Sequence, residues 1–319
     1  MPTPKLVFVT GGSDGLGKEF CKQMAALDPA PEKIILTSRS AERGGKVCAA
    51  LASETGKDIF EAVALDTADP ASIRACAAAL PSGIDAYLMN ASSPNAGVEL
   101  GAHGVCKLFQ DKTLGHMELL DALIKADKLT KGGRVIFSSS ELVRSVWLFT
   151  GFTPWNEMKE GHLEAYTKAP PGSCVPIRAQ FASYANVIII GGLYMSAMAK
   201  EHPEYYFASV SPGGTPTRIY DKLAQPMQCL MKSCGCVFLA LRGIHTLDKG
   251  GKRYVDAVSD PAFPEKFPSG STVASPSSCC PFYLGAAGPL TNQNKYASWF
   301  ENETLHKEAL GVVREAMER

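Results

Sequence analysis

Apolar positions in the first third of the chain fall into short β-rich runs separated by polar stretches of helical period. The runs at 5–10 (KLVFVT), 33–38 (KIILTS), 60–66 (FEAVALD) and 84–90 (IDAYLMN) read as strands. Between them, GKEFCKQMAAL repeats Phe20, Met24 and Leu27 at helical spacing, and AERGGKVCAALASETG and PASIRACAAAL follow as further helices. A helix over about 104–126, a strand at 133–139, a helix over about 181–200 and a strand at 206–211 continue the alternation. Parallel strands need a crossover between them, so the series predicts an α/β fold, a doubly wound parallel sheet with helices on both faces. From about 214 the pattern is mixed; KRYVDAV at 252–258 reads as a last strand, and NETLHKEALGVVREAMER closes the chain as an amphipathic helix. No repeat or linker interrupts it, which predicts a single domain over residues 1–319. Irregular segments at about 142–178 and 214–245 are placed to cover a substrate.

Charge narrows the choice of partners. Thirty-two basic and 32 acidic residues cancel, so no excess charge points to nucleic acid or an anionic membrane. The longest apolar stretch, 12 residues from Val187, is shorter than the roughly 20 needed to span a bilayer. Ten dispersed cysteines behind an opening with no signal-peptide pattern imply a reduced, cytoplasmic protein. CGC at 234–236 and CC at 279–280 have no second cysteine pair at zinc spacing. The six histidines form no HxxxH or HExxH pattern, so no metal is expected.

The candidate chemistry begins after the first strand. In TGGSDGLGKEF, Gly11, Gly15 and Gly17 allow a tight turn and bring a pyrophosphate against a helix N-terminus, with Ser13 and Leu16 in the same loop. This is the phosphate-binding position of a Rossmann-type sheet. The TGxxxGxG spacing resembles the short-chain dehydrogenase/reductase family. Leu65–Asp66, with Thr67, resembles the segment that meets the adenine. Asn90 and Ala91 stand in a NAS that resembles the family's NAG, and SPGGTPT from Ser211 resembles its motif beside the nicotinamide. The resemblance implies that Pro212, Gly213, Thr215 and Thr217 contact the cofactor. GVCKLFQDKTLGH and GRVIFSSSE resemble the retinol dehydrogenase and protochlorophyllide reductase branch. At the end of the second strand the usual ribose-binding carboxylate is absent and Arg39 is present, which favours NADP; Asp14 pulls the other way, and NAD is not excluded.

The resemblance implies a catalytic set of Asn, Ser, Tyr and Lys. Ser140, with Ser139 as the fallback, matches the serine, and Tyr184 matches the tyrosine. The lysine is missing: four residues after Tyr184 stands Ile188. Lys112 occupies the Asn position, on the apolar stripe of Val105, Leu108, Gly115, Leu119 and Leu123. Either it relocates the lost positive charge, or it snorkels to solvent beside Asp111. An ordinary tyrosine, with a pKa near 10, pays about 4 kcal/mol to form phenolate at pH 7. Alcohol oxidation therefore suffers more than carbonyl reduction from the loss of a nearby cation. These features imply an NADP-dependent oxidoreductase reducing a carbonyl, or less readily an activated C=C bond, of a small apolar substrate. The rival reading is a catalytically impaired dinucleotide-binding sensor or scaffold. Members of the family often associate through the helices near Lys112 and Tyr184, so a homodimer is compatible with the sequence. Aromatic residues Trp147, Phe149, Phe152, Trp155 and Tyr166 are candidates to line the substrate pocket.

Overall fold

Eight strands form one sheet in the order β3-β2-β1-β4-β5-β6-β7-β8. They are β1 (Leu6–Val9), β2 (Lys33–Ser38), β3 (Phe60–Ala64), β4 (Ile84–Met89), β5 (Leu129–Ser138), β6 (Tyr206–Val210), β7 (Ser271–Ala274) and β8 (Thr291–Asn292). All pairings are parallel except the edge pair β7–β8. The computed structural model describes residues 3–92, 99–144, 158–168, 177–215, 245–276, 289–293 and 297–319. Thr217, the four aromatics at 147–155 and most of the expected 214–245 cover lie outside them.

The helices are α1 (Gly15–Ala25), α2 (Ala41–Thr55), α3 (Pro70–Ala79), α4 (Lys107–Phe109), α5 (Gly115–Lys125), α6 (Leu163–Thr167), α7 (Ile177–Glu201), α8 (Leu247–Ser259), α9 (Phe263–Lys266) and α10 (Glu303–Met317). Their ends follow local chemistry: Asp14, Ser40, Asp69 and Asn302 cap N-termini with their side chains, and Gly56 closes α2 at φ +68. Strand alternation feeds two cores, one on each face. On β5, Val135 and Phe137 join the core with α5 and α7, while Ile136 joins the core with α1 and α8.

Two expectations are corrected. KRYVDAV is helical, inside α8, because Tyr254, Val255, Ala257 and Val258 pack together on the sheet rather than alternating between faces. The helix expected over about 104–126 is α4 and α5 joined by a π-helical turn at Gln110–Leu114, closed by Gly115 N–H on the Gln110 carbonyl. The face of α7 is also occupied. Leu305, Ala309 and Val313 of α10 share a core with Tyr194 and Met198, and Lys200–Glu303 and Glu201–Arg314 ion pairs flank the contact. The chain's own last helix thus covers part of the helix expected to mediate association. Among the described residues no helix is long and apolar enough to cross a membrane, and no metal-binding group of His, Cys, Asp or Glu occurs.

Candidate active site

The strand order reverses between β1 and β4, and the crevice beyond their carboxyl ends is where such sheets bind ligands. The glycine turn lies there, between β1 and α1. Gly11 has φ +67, and a Cβ on it would lie 2.8 Å from the Ala91 Cα; a Cβ on Gly17 would drive into the Gly11 carbonyl oxygen. Gly15 has φ +51. The backbone is therefore drawn into a cradle that side chains would fill, which fits a pyrophosphate. Asp14 caps α1 by accepting from Gly15 N–H at 2.9 Å and also pairs with Arg43 at 3.3 Å. Leu16 and Gly17, in the first turn, lack intrahelical acceptors for their amides by the geometry of a helix start.

One hydroxyl holds this end of the sheet together. Thr10 Oγ1 accepts from the amides of Asn90 at 2.9 Å and Ala91 at 3.1 Å, and lies 2.9 Å from His116 Nε2. His116 Nδ1 can only donate to its acceptor, the Lys112 carbonyl at 3.2 Å, so Nε2 takes the Thr10 proton. Burial, reinforced by Lys112, lowers the His116 pKa to about 3, and the ring stays neutral. The Asn90 amide donates to the carbonyls of Thr10 and Gly11 at 3.2 and 3.3 Å, which fixes the glycine turn from the β4 side.

At the far end of the crevice, Arg39 is exposed and has no hydrogen-bond or ion-pair partner among the described residues. Asp66 is exposed and Thr67 buried; the Thr67 carbonyl meets Gly115 so closely that a Cβ there would collide with it. Asp111, one helical turn before Gly115, is 4% exposed and its Oδ1 has no partner among the described residues. Burial raises its pKa to about 6, with Asp66 adding to the rise and Lys107 and Arg39 opposing it.

The catalytic candidates converge less completely. Ser140 follows β5, is half-buried, and its Oγ accepts from Leu142 N–H at 3.2 Å; Ser139 Oγ is buried without a partner among the described residues. Tyr184 is half-buried on α7, packed against Leu142 and Ala185, and burial raises its pKa to about 12. Ile188 is fully buried in the core. Lys112 does not snorkel. It is 2% exposed within the π-helical turn, with Nζ 5.4 Å from the Phe137 ring centroid and no ion-pair partner among the described residues. Burial alone lowers its pKa to about 7. Thr113 Oγ1 donates to the Val187 carbonyl at 2.8 Å, tying the Lys112 turn to α7 one residue before Ile188.

Sequence reading missed a second organising group. Glu141 and Arg253, 112 residues apart, form a buried ion pair at 3.1 Å behind Ser140. A separation of that size leaves no local pattern. Gly250, on the same helix as Arg253, is where α8 closes on Leu16 and Thr215; an added Cβ would come within 2.7 Å of both. Pro212 and Thr215 are buried and Gly213 is half-buried with φ +83.

Residues 5–149 match the short chain dehydrogenase family model. A short-chain dehydrogenase/reductase of Armillaria gallica is 35% identical over 154 residues, 43% of this chain and 46% of that protein. The chain thus spans about half the length of that curated relative. An uncharacterized protein from Mycobacterium paratuberculosis superposes with a TM-score of 0.65 at 17% identity, covering 100% of this chain and 96% of the other. NADPH-bound carbonyl reductase from chicken fatty liver gives 0.55 at 17% identity over 85% and 92% of the two chains, and salutaridine reductase from Papaver somniferum 0.56 at 17% over 84% and 99%. At such identities the solved structures establish the shared Rossmann-like fold.

Proposed function

We propose that this chain, related through its dinucleotide-binding half to the short-chain dehydrogenases/reductases, is an NADP-dependent oxidoreductase that reduces a carbonyl of a small apolar substrate. Gly11, Ser13, Gly15, Leu16 and Gly17 would hold the pyrophosphate. Asp66, Thr67, Asn90 and Ala91 would hold the adenosine side, with Arg39 on a ribose phosphate. Pro212, Gly213, Thr215 and Thr217 would flank the nicotinamide. The bound dinucleotide supplies the hydride.

The direction follows from the protein's own acid. With its pKa at about 12, Tyr184 keeps its proton at pH 7. Forming its phenolate would cost roughly 7 kcal/mol, enough to suppress alcohol oxidation. As a neutral phenol it donates to the carbonyl oxygen and gives up its proton as negative charge develops there. Ser140 adds a second hydrogen bond to that oxygen. Lys112, its pKa lowered by burial to about 7, would supply positive charge beside the helix of Tyr184 when protonated.

The observation that carries the reading is the buried amine of Lys112, without an ion-pair partner among the described residues, in a turn anchored to α7 beside Ile188. A structural lysine has no reason to bear that desolvation. The test is oxidation of NADPH against a panel of aldehydes, ketones and quinones, with Ile188→Lys assayed in parallel. Turnover by the wild-type chain is expected. Dinucleotide binding with turnover only after Ile188→Lys would instead identify a sensor or scaffold.

A further inference from the structure

Glu141 immediately follows Ser140, and Ser211 immediately precedes Pro212, so the turn proposed to bind the substrate oxygen and the proposed nicotinamide loop are each flanked by a polar residue facing the other. Glu141 Oε1 accepts from Ser211 Oγ at 2.7 Å, from Arg253 Nη1 at 3.1 Å, and from Ser275 Oγ and N at 3.2 and 3.3 Å. Arg253 also donates to the Ser211 carbonyl at 3.1 Å and to Ser275 Oγ at 2.9 Å. The Ser211 hydroxyl donates its hydrogen bond to the carboxylate and presents its lone pairs to Gly213 N–H at 3.1 Å. A continuous path therefore runs from the Gly213 amide through Ser211 to Glu141, with every donor direction fixed by the carboxylate's inability to donate. The exposure of the two charged side chains is 10% and 9%, so this is a desolvated link rather than a surface pair.

We infer that Glu141 and Arg253 are positioning residues that lock the Pro212–Gly213 loop in register with the Ser140 turn, setting the nicotinamide against the substrate oxygen. The inference rests on the dinucleotide reading above, and it concerns one end of that ligand: the adenosine and pyrophosphate would be held by β1, α1 and β4, to which the hydrogen bonds of Glu141, Ser211, Arg253 and Ser275 do not reach. Gly250, three residues before Arg253, braces the same helix against Leu16 and Thr215, so α8 carries the link on a rigid element.

The experiment compares NADPH with 2′-phosphoadenosine 5′-diphosphoribose, which lacks the nicotinamide. Dissociation constants are measured for the wild type, for Ser211→Ala, which cuts the path to Gly213 and leaves the ion pair, and for Glu141→Gln, which removes the charge. Each variant is checked by its melting curve. The expected result is at least fivefold weaker NADPH binding by both variants, with the nicotinamide-free ligand bound within twofold of wild type. Equal weakening of both ligands, or unchanged NADPH binding in Ser211→Ala, overturns the inference. If the wild type binds neither ligand, the dinucleotide reading itself fails. If Glu141→Gln does not fold, the Ser211→Ala comparison decides alone.

Discussion

At the glycine-rich turn the buried polar groups are paired: Thr10 meets two amides and a histidine, and Asn90 meets two carbonyls. Around the π-helical turn they are not. Among the described residues, both amide atoms of Gln110, Oδ1 of Asp111 and Oγ of Ser139 lack partners, and buried Lys112 has no counter-charge. Each such buried group costs about 1–3 kcal/mol. The first region is a cradle built from backbone, its supporting side chains satisfied and its first-turn amides at Leu16 and Gly17 left for a ligand. The second carries unspent polar capacity, as sites that must meet a ligand commonly do.

That contrast sets the order of expected effects. The largest belongs to Gly17→Val, because a Cβ at this position enters the Gly11 carbonyl. Dinucleotide affinity is expected to fall at least ~100-fold in a fluorescence titration, since the cradle has no room to adapt. Preserved affinity would mean that the pyrophosphate lies elsewhere. Tyr184→Phe comes next: carbonyl reduction should drop by about 100-fold, the usual worth of a positioned acid, with NADPH affinity within about twofold of wild type.

Lys112→Met separates function from stability. Turnover at pH 7 is expected to fall by about tenfold, while the melting temperature rises, because a desolvated amine is replaced by an apolar chain of similar length. The sign with pH follows from the folded pKa of about 7 against an ordinary 10.5. Between those values the unfolded chain binds the proton and the folded chain does not, so the wild type gains stability as pH rises. Below pH 7 the penalty is complete, at most roughly 5 kcal/mol. The advantage of Lys112→Met should therefore be widest near pH 6 and shrink toward pH 10 in denaturant titrations. A gap independent of pH would show that the buried amine does not titrate there. The smallest effect expected is for Arg39→Gln, which should narrow the preference for NADPH over NADH by about five- to tenfold, as for loss of one charge-assisted phosphate contact.

The alternation of strands and helices through β6, the glycine turn and the burial of the Lys112 stripe were legible because each is a local pattern, period 2, period 3.6 or a fixed spacing of glycines. The KRYVDAV segment was misread for a reason that is itself structural. Gly250 and Gly251 weaken helix propensity in front of it, yet α8 needs both, since a Cβ on Gly250 would meet Leu16 and Thr215 and one on Gly251 would meet Glu19. The π-helical turn was invisible too, because one extra residue in a helical turn leaves the apolar stripe nearly unchanged while redirecting the polar residues within it.

Sequence alone determined which residues could form a dinucleotide cradle, and that an apolar residue, Ile188, stands four places after Tyr184. Only the tertiary structure decided that Lys112 turns inward, with no ion-pair partner among the described residues, and that Glu141 finds Arg253. Periodicity records which face of an element is buried. Burial of charge depends on what the rest of the chain brings to that face, and no local pattern carries that information.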